Sequence, residues 1–157
     1  VVGLAGDEAR LAMARRLGAT HVVAADRDDP RALVSDLTNG AMANVVIDVT
    51  NTAASPPLAL DLVGSAGTLV LGGGAGQKPS SLMTDRITAE EITIRGVNTH
   101  DSPAVKQSLS IAESGRYPLE EMVSHRFSVD EAERAIQTVA GEAPADGLIK
   151  VVMYPNS

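Results

Sequence analysis

Glycine, asparagine and threonine gather at four points of this chain: Gly3–Gly6, Thr50–Thr52, Gly72–Gly74 and Asn98–His100. Residues of these types let backbone approach a ligand closely and leave amides free to bind it. They serve equally well to end a strand and open a turn. Side chains fit for acid–base, nucleophilic or metal chemistry are sparse beside them. His21, His100 and His125 stand at no metal-ligand spacing with one another or with a carboxylate, and read as surface or packing residues. No G-x-S-x-G elbow is present. Gly72–Lys78 imitates a phosphate loop but lacks a Ser or Thr after the lysine, and Pro79 would interrupt the helix such a loop needs. Asp48, near the end of an apolar run, could contact a ligand or be satisfied by neighbouring backbone amides. The chain carries no complete catalytic constellation.

Composition narrows the classes further. At 157 residues the chain has no room for two ordinary domains. Hydrophobic residues make up 44% despite the scarcity of aromatics, enough for a core and too many for a disordered segment. The net charge of −7, with no Lys/Arg cluster, argues against nucleic acid or an anionic membrane surface as partner. The absence of cysteine excludes disulfides, Cys-ligated zinc and a thiol nucleophile within these residues, and fits a cytoplasmic protein. The apolar runs are strand-length, too short to span a bilayer. The first residue is Val1, and the run Val1–Leu4 reads as the tail of a strand, so the sequence is expected to begin inside a longer gene.

The elements that must position these glycines alternate. A helix is predicted over Asp7–Leu17, with Gly18 as its stop. A β-branched run follows at His21–Ala24, then a helix opened by Asp29-Pro30 and ending before Asn39-Gly40. Asn44–Val49 is apolar on both faces, as buried parallel strands are. Pro56 and Pro57 begin a helix that Gly64 closes, and strands follow at Thr68–Leu71 and Ile92–Val97. Ser102-Pro103 opens a helix that stops at Gly115. Val123–Val129 is extended, Ser128 and Glu131 stand at capping-box spacing, and the next helix carries Ala132, Ala135, Ile136 and Val139. Leu148–Met153 is the last strand. Strand–helix alternation with short connections predicts an open, doubly wound α/β domain with a parallel sheet covered on both faces.

In order, DEARLAMARRLGA (Asp7–Ala19), NVVIDVT (Asn44–Thr50), GSAGTLVLGG (Gly64–Gly73), EITIRGV (Glu91–Val97), SGRYPLEEMVSHRFSVDEAERAI (Ser114–Ile136) and GLIKVV (Gly147–Val152) resemble the C-terminal, cofactor-binding part of a medium-chain, zinc-type alcohol dehydrogenase. Its polyol and threonine dehydrogenase relatives are the nearest in pattern. The resemblance implies an N-terminally truncated Rossmann-type domain. Its first strand and glycine fingerprint, and a catalytic domain holding zinc, would lie before Val1, and its C-terminal elements would return toward that catalytic domain. It implies cofactor contacts from Gly3 and Leu4 at the second strand's exit and from Arg10 one turn into the following helix. Leu71, Gly72 and Gly73 would lie along the nicotinamide ribose, Val97, Asn98 and Thr99 beside the carboxamide, and Lys150 near the pyrophosphate.

The acid expected at the second strand's exit is replaced by Gly3-Leu4-Ala5-Gly6, and Asp7 reads as a helix cap, so the cofactor is NAD or NADP. The resemblance further implies a small alcohol or polyol as substrate. It also implies a homo-oligomer, dimer or tetramer, paired through the strand Ile92–Val97. The segment alone is expected to be inactive. Two other readings stay open: a non-catalytic nucleotide-binding or interaction module, and a zinc-free quinone or enone reductase of the same superfamily.

Overall fold

Every sheet in the structure, a computed structural model describing residues 2–155, is built of parallel strands joined through helices. The described chain forms two compact units, Val1–Asp28 with Ser102–Ser157, and Asp29–Asp101. Among the described residues the strands pair in three sheets, where the sequence pattern suggested one. The parallel α/β class and its strand–helix–strand units are as expected. Val1 lies outside the described residues.

In the first unit, β1 (Val2–Ala5) pairs with β2 (His21–Ala24), and α1 (Glu8–Arg16) connects them. Asp7 caps α1 by accepting from the Arg10 amide, and Leu11 and Met13 turn inward. Gly3 sits inside β1 opposite Val22. A Cβ there would lie 3.0 Å from Ala14 Cβ, so its bare backbone is what admits α1.

The helix that begins at Ser102-Pro103 runs Ser102–Glu113, and a short 3₁₀ turn covers Leu119–Met122. Numbering the remaining strands and helices of both units in chain order, this unit closes with β6 (Val123–Ser128), α6 (Ala132–Ala140) and β7 (Lys150–Tyr154). β6 and β7 are parallel partners. The capping box is formed: Ser128 N donates to Glu131 Oε2 at 3.2 Å. Phe127 and Thr138 are buried; of the apolar residues that α6 carries, Ala135 is buried and Ile136 and Val139 are exposed. Nothing in this unit covers that side of the helix.

The second unit contains α2 (Pro30–Leu37), β3 (Ala43–Asp48), α3 (Ser55–Leu62), β4 (Val63–Leu71), α4 (Thr84–Ala89) and β5 (Thr93–Gly96). Asp29 caps α2, with Pro30 in its first turn. The sheet order is β3-β4-β5. One face packs against α3 and α4 through a core of Ala59, Leu60, Val63, Leu69 and Ile92.

Three details depart from the sequence pattern. The helix ends at Leu62, because fully buried Val63 is already extended, so β4 starts well before Thr68 and carries an irregular excursion opposite Ala43–Val45. Ile92 belongs to the core just before β5 instead of to the strand. Finally, β3 is buried on one face only. Val45, Ile47 and Val49 are 57%, 64% and 70% exposed, because no helix of this unit lies over that side of the sheet.

Arg86 locks α4 to the end of α3. It donates to the Leu60 and Val63 carbonyls, both at 2.7 Å, and its Nε and Nη2 clasp the Glu90 carboxylate at 3.0 and 3.1 Å. That hydrogen bonding holds the Glu90 carboxyl below its usual pKa. Carbonyls at a helix C-terminus need such partners. Arg86→Met keeps the stem and deletes the donors, and is expected to lower the unfolding free energy by about 2–3 kcal/mol in urea denaturation. A loss under about 0.5 kcal/mol would show that water replaces the guanidinium.

Candidate functional site

The ten residues marked by the sequence fall into two groups, one in each unit. Gly3, Leu4, Arg10 and Lys150 belong to the first; Leu71, Gly72, Gly73, Val97, Asn98 and Thr99 belong to the second.

In the second unit the carboxyl ends of β3, β4 and β5 come together. Leu71 pairs with Asp48 on one side and Gly96 on the other, and its carbonyl accepts from the Val97 amide at 2.9 Å. Gly72 and Gly73 both donate to the Asp48 carbonyl, at 2.8 and 3.2 Å. The Gly74 amide donates to Asn51 Oδ1 at 3.3 Å. A side chain on Gly72 would press on Val97 Cγ2 at 3.2 Å, and one on Gly73 would stand 1.6 Å from the Thr50 carbonyl oxygen. Both glycines are therefore required by the close approach of neighbouring backbone, and both remain exposed. Thr99 has a positive φ of 56°, and its hydroxyl accepts from the His100 amide at 2.5 Å. The result is an exposed ledge of backbone at Gly72 and Gly73, flanked by Val49 and Val97, with the buried Asp48 at the neighbouring strand end.

In the first unit β1 continues to Ala5, so its exit lies at Gly6–Asp7 and not at Gly3–Leu4; Gly3 packs under α1 and Leu4 is paired with Val23. Arg10 forms an ion pair with Asp7, whose carboxyl is held below its usual pKa first by the Arg10 backbone amide and then by the Arg10 side chain. An open cleft of about 490 Å³ begins there, lined by Asp7, Arg10, Gly147 and Leu148 among others. Lys150 follows on β7, exposed, with its amide and carbonyl both bonded to Ser124 Oγ at 3.1 Å.

Neither helix start offers a ready anion seat. The first turn of α1 is filled by Asp7, and that of α3 carries Pro56 and Pro57, which lack N–H donors. Among the described residues no three of His, Cys, Asp and Glu converge on a point that could hold a metal ion.

Sequence reasoning left Asp48 undecided and passed over its partners. The residue is 7% exposed, and its carboxylate accepts from the Thr50 amide, the Thr50 hydroxyl and the Ser55 hydroxyl. The signal available was the D-x-T-x-x-x-x-S spacing, which places hydroxyls within reach of a strand-terminal acid.

Parallel strands joined through helices, with glycine at the strand exits, define a Rossmann-like α/β fold. The chain belongs to the zinc-binding dehydrogenase family, whose model matches residues 1–114. It is 34% identical over 159 residues to the "Probable alcohol dehydrogenase adh" of Mycobacterium tuberculosis, covering 99% of this chain and 43% of that protein. The sorbitol dehydrogenase of Halalkalibacterium halodurans is 25% identical over 156 residues, covering 99% and 44%. An alcohol dehydrogenase from Thermotoga maritima superposes with a TM-score of 0.89 at 21% identity, covering 99% of this chain and 43% of that one. A dehydrogenase structure from Sinorhizobium meliloti 1021, bound to NADP, gives 0.85 at 22%, covering 99% and 45%. The chain thus spans less than half the length of the relatives it matches.

Asp7 yields a pH prediction. Its folded pKa lies below the ordinary 3.8, so its stabilising contribution is complete above about pH 5 and is withdrawn as pH falls through the folded value. Asp7→Ala is expected to cost about 1 kcal/mol at neutral pH and to remove part of the acid sensitivity below about pH 4, read by circular dichroism. Asp7→Asn keeps the cap and should lose only the second effect. Equal acid profiles for all three proteins would refute this.

Proposed function

We propose that this chain is the cofactor-binding portion of an NAD(P)-dependent alcohol or polyol dehydrogenase. The observation that carries the reading is the exposed ledge at Leu71–Gly73 and Val97–Thr99, in a chain of the zinc-binding dehydrogenase family. A bound nicotinamide dinucleotide supplies the carbon that accepts or gives up hydride. The residues here bind and orient it: Leu71, Gly72 and Gly73 lie along the nicotinamide ribose, the Val97–Thr99 backbone meets the carboxamide, and Lys150 attracts the pyrophosphate. Their contribution is placement, which removes entropy from the reaction without moving a proton.

Zinc has no site on the described residues, and in this proposal it is held by the remainder of the protein, where it polarises the alcohol oxygen. The same remainder supplies the pyrophosphate seat that neither α1 nor α3 offers. Strand order supports this. In the second unit β3 is bonded to β4 on one side only, and in this proposal a strand from the remainder of the protein pairs with its free edge. The C-terminal elements β6, α6 and β7 return toward the catalytic domain. By itself the chain is inactive.

Arg10 is already paired with Asp7, so this exit offers no free cation to a 2′-phosphate; that favours NAD over NADP. No helix among the described residues is long and apolar enough to cross a membrane, and a cytoplasmic enzyme is proposed.

Lys150→Ala in the full-length protein is expected to raise the dissociation constant for NADH about fivefold by fluorescence titration, with an unchanged unfolding midpoint. Unaltered affinity would remove Lys150 from the site, and failure of the unmodified protein to bind NADH or NADPH would end the dehydrogenase proposal in favour of a non-catalytic module. β5 is an edge strand, bonded to β4 on one side only, and we propose that a second copy pairs with it. Light scattering of the full-length protein should give a dimer or tetramer; a monomer at micromolar concentration would disprove the pairing.

A further inference from the structure

Asp48 is the one buried acid at the proposed cofactor ledge, and nothing in the binding role described so far uses its side chain. The carboxylate ends β3, and every bond it makes runs forward along the chain. Oδ1 accepts from Thr50 N at 2.9 Å and Thr50 Oγ1 at 2.8 Å, and Oδ2 accepts from Ser55 Oγ at 2.7 Å. The Thr50 and Ser55 hydroxyl oxygens also lie in contact with each other. The Asp48 main-chain carbonyl meanwhile receives the Gly72 and Gly73 amides. One residue therefore grips both sides of the junction: its side chain bends residues 49–55 and its backbone sets the height of the glycines.

The two grips are coupled by contact. Thr50 O stands where a Cβ of Gly73 would be, so any rotation of the Thr50 peptide moves Gly73 or collides with it. The apolar core lies elsewhere, in Ala59, Leu60, Val63, Leu69 and Ile92, and does not call for an acid at this position. A buried carboxylate is costly unless it is hydrogen-bonded, and all three bonds that offset the cost here come from the turn that Asp48 holds.

Resting on the dinucleotide reading above, we infer that Asp48 is a positioning residue: through Thr50 and Ser55 it presses the β3 exit turn against Gly73 and fixes the backbone surface that receives the nicotinamide end of the cofactor. It touches neither substrate nor the reacting atoms.

The test uses the full-length protein, titrated with NADH and NADPH and assayed with a secondary alcohol. Ser55→Ala removes the Oδ2 partner and leaves every strand intact. It should raise the cofactor dissociation constant and the cofactor KM together by about fivefold, with kcat within about twofold and the alcohol KM unchanged. Ser55→Thr returns the hydroxyl and should restore tight binding, a rescue that a loss of packing alone would not give. Asp48→Asn should weaken binding about tenfold. If the wild-type protein binds cofactor and both Ser55→Ala and Asp48→Asn bind it equally well, the positioning role is overturned, whatever happens to their unfolding midpoints. If the wild-type protein binds neither cofactor, the dinucleotide reading has failed and takes this inference with it.

Discussion

The meeting of Thr50 with Gly73 is the constraint around which the second unit is arranged. Two parallel strands that end side by side can bring their exits into contact only if one of them lacks a side chain there, and the chain meets that requirement with a glycine. From this follow the shared Asp48 carbonyl, the alignment of Leu71 with Val97, and the absence of bulky groups above the sheet end. A surface made of amides and carbonyls in fixed positions suits a ligand that must be held still while chemistry occurs elsewhere. It is a poor place for chemistry of its own.

Energetically the unit leans on two polar clusters and one apolar one. The apolar core joins β4 to α3 and α4, and Arg86 closes the end of α3, where its guanidinium joins the Val63 amide on the Leu60 carbonyl and also binds the Val63 carbonyl. Asp48 does at the carboxyl end of β3 what Arg86 does at the end of α3: each is a charged group, mostly removed from water, whose hydrogen bonds are all taken up by adjoining turns. Such groups confer definition more than raw stability, since well-packed apolar residues would often serve stability as well.

Much of this was legible in the residues. Asp7, Asp29 and the Ser128–Glu131 box announce three helix starts because their side chains satisfy amides that the helix itself leaves open. The alternation of strands and helices, and the family, were likewise open to reading. Other features were not. The six residues of α4 carry no periodic stripe, and their helix is held by Arg86 reaching across to α3, a contact with no local signature. The resemblance put the exit of β1 at Gly3 and Leu4, whereas the strand runs on to Ala5 and Gly3 packs against Ala14. The exposure of Val45, Ile47 and Val49 is invisible in the sequence, because three branched apolar residues on one face of a strand read as the side turned to the core. At the candidate site the glycines could be picked out, whereas the hydroxyl partners of Asp48 were passed over: the spacing of Thr50 and Ser55 allows the contacts, but only the fold shows that both are made.

The uncovered side of β3 has a consequence for biosynthesis. Translation delivers residues 43–49 before the residues of β4 and β5, so for a time three branched side chains and an unsatisfied ladder emerge together from the ribosome. Neighbouring nascent chains on one messenger would find in each other the same stripe at the same register, a geometry suited to stacking of like on like. Rapid closure of the Pro56-Pro57 helix onto β3 shields only one side. The apolar stripe of Val45, Ile47 and Val49 thus outlasts the docking of that helix.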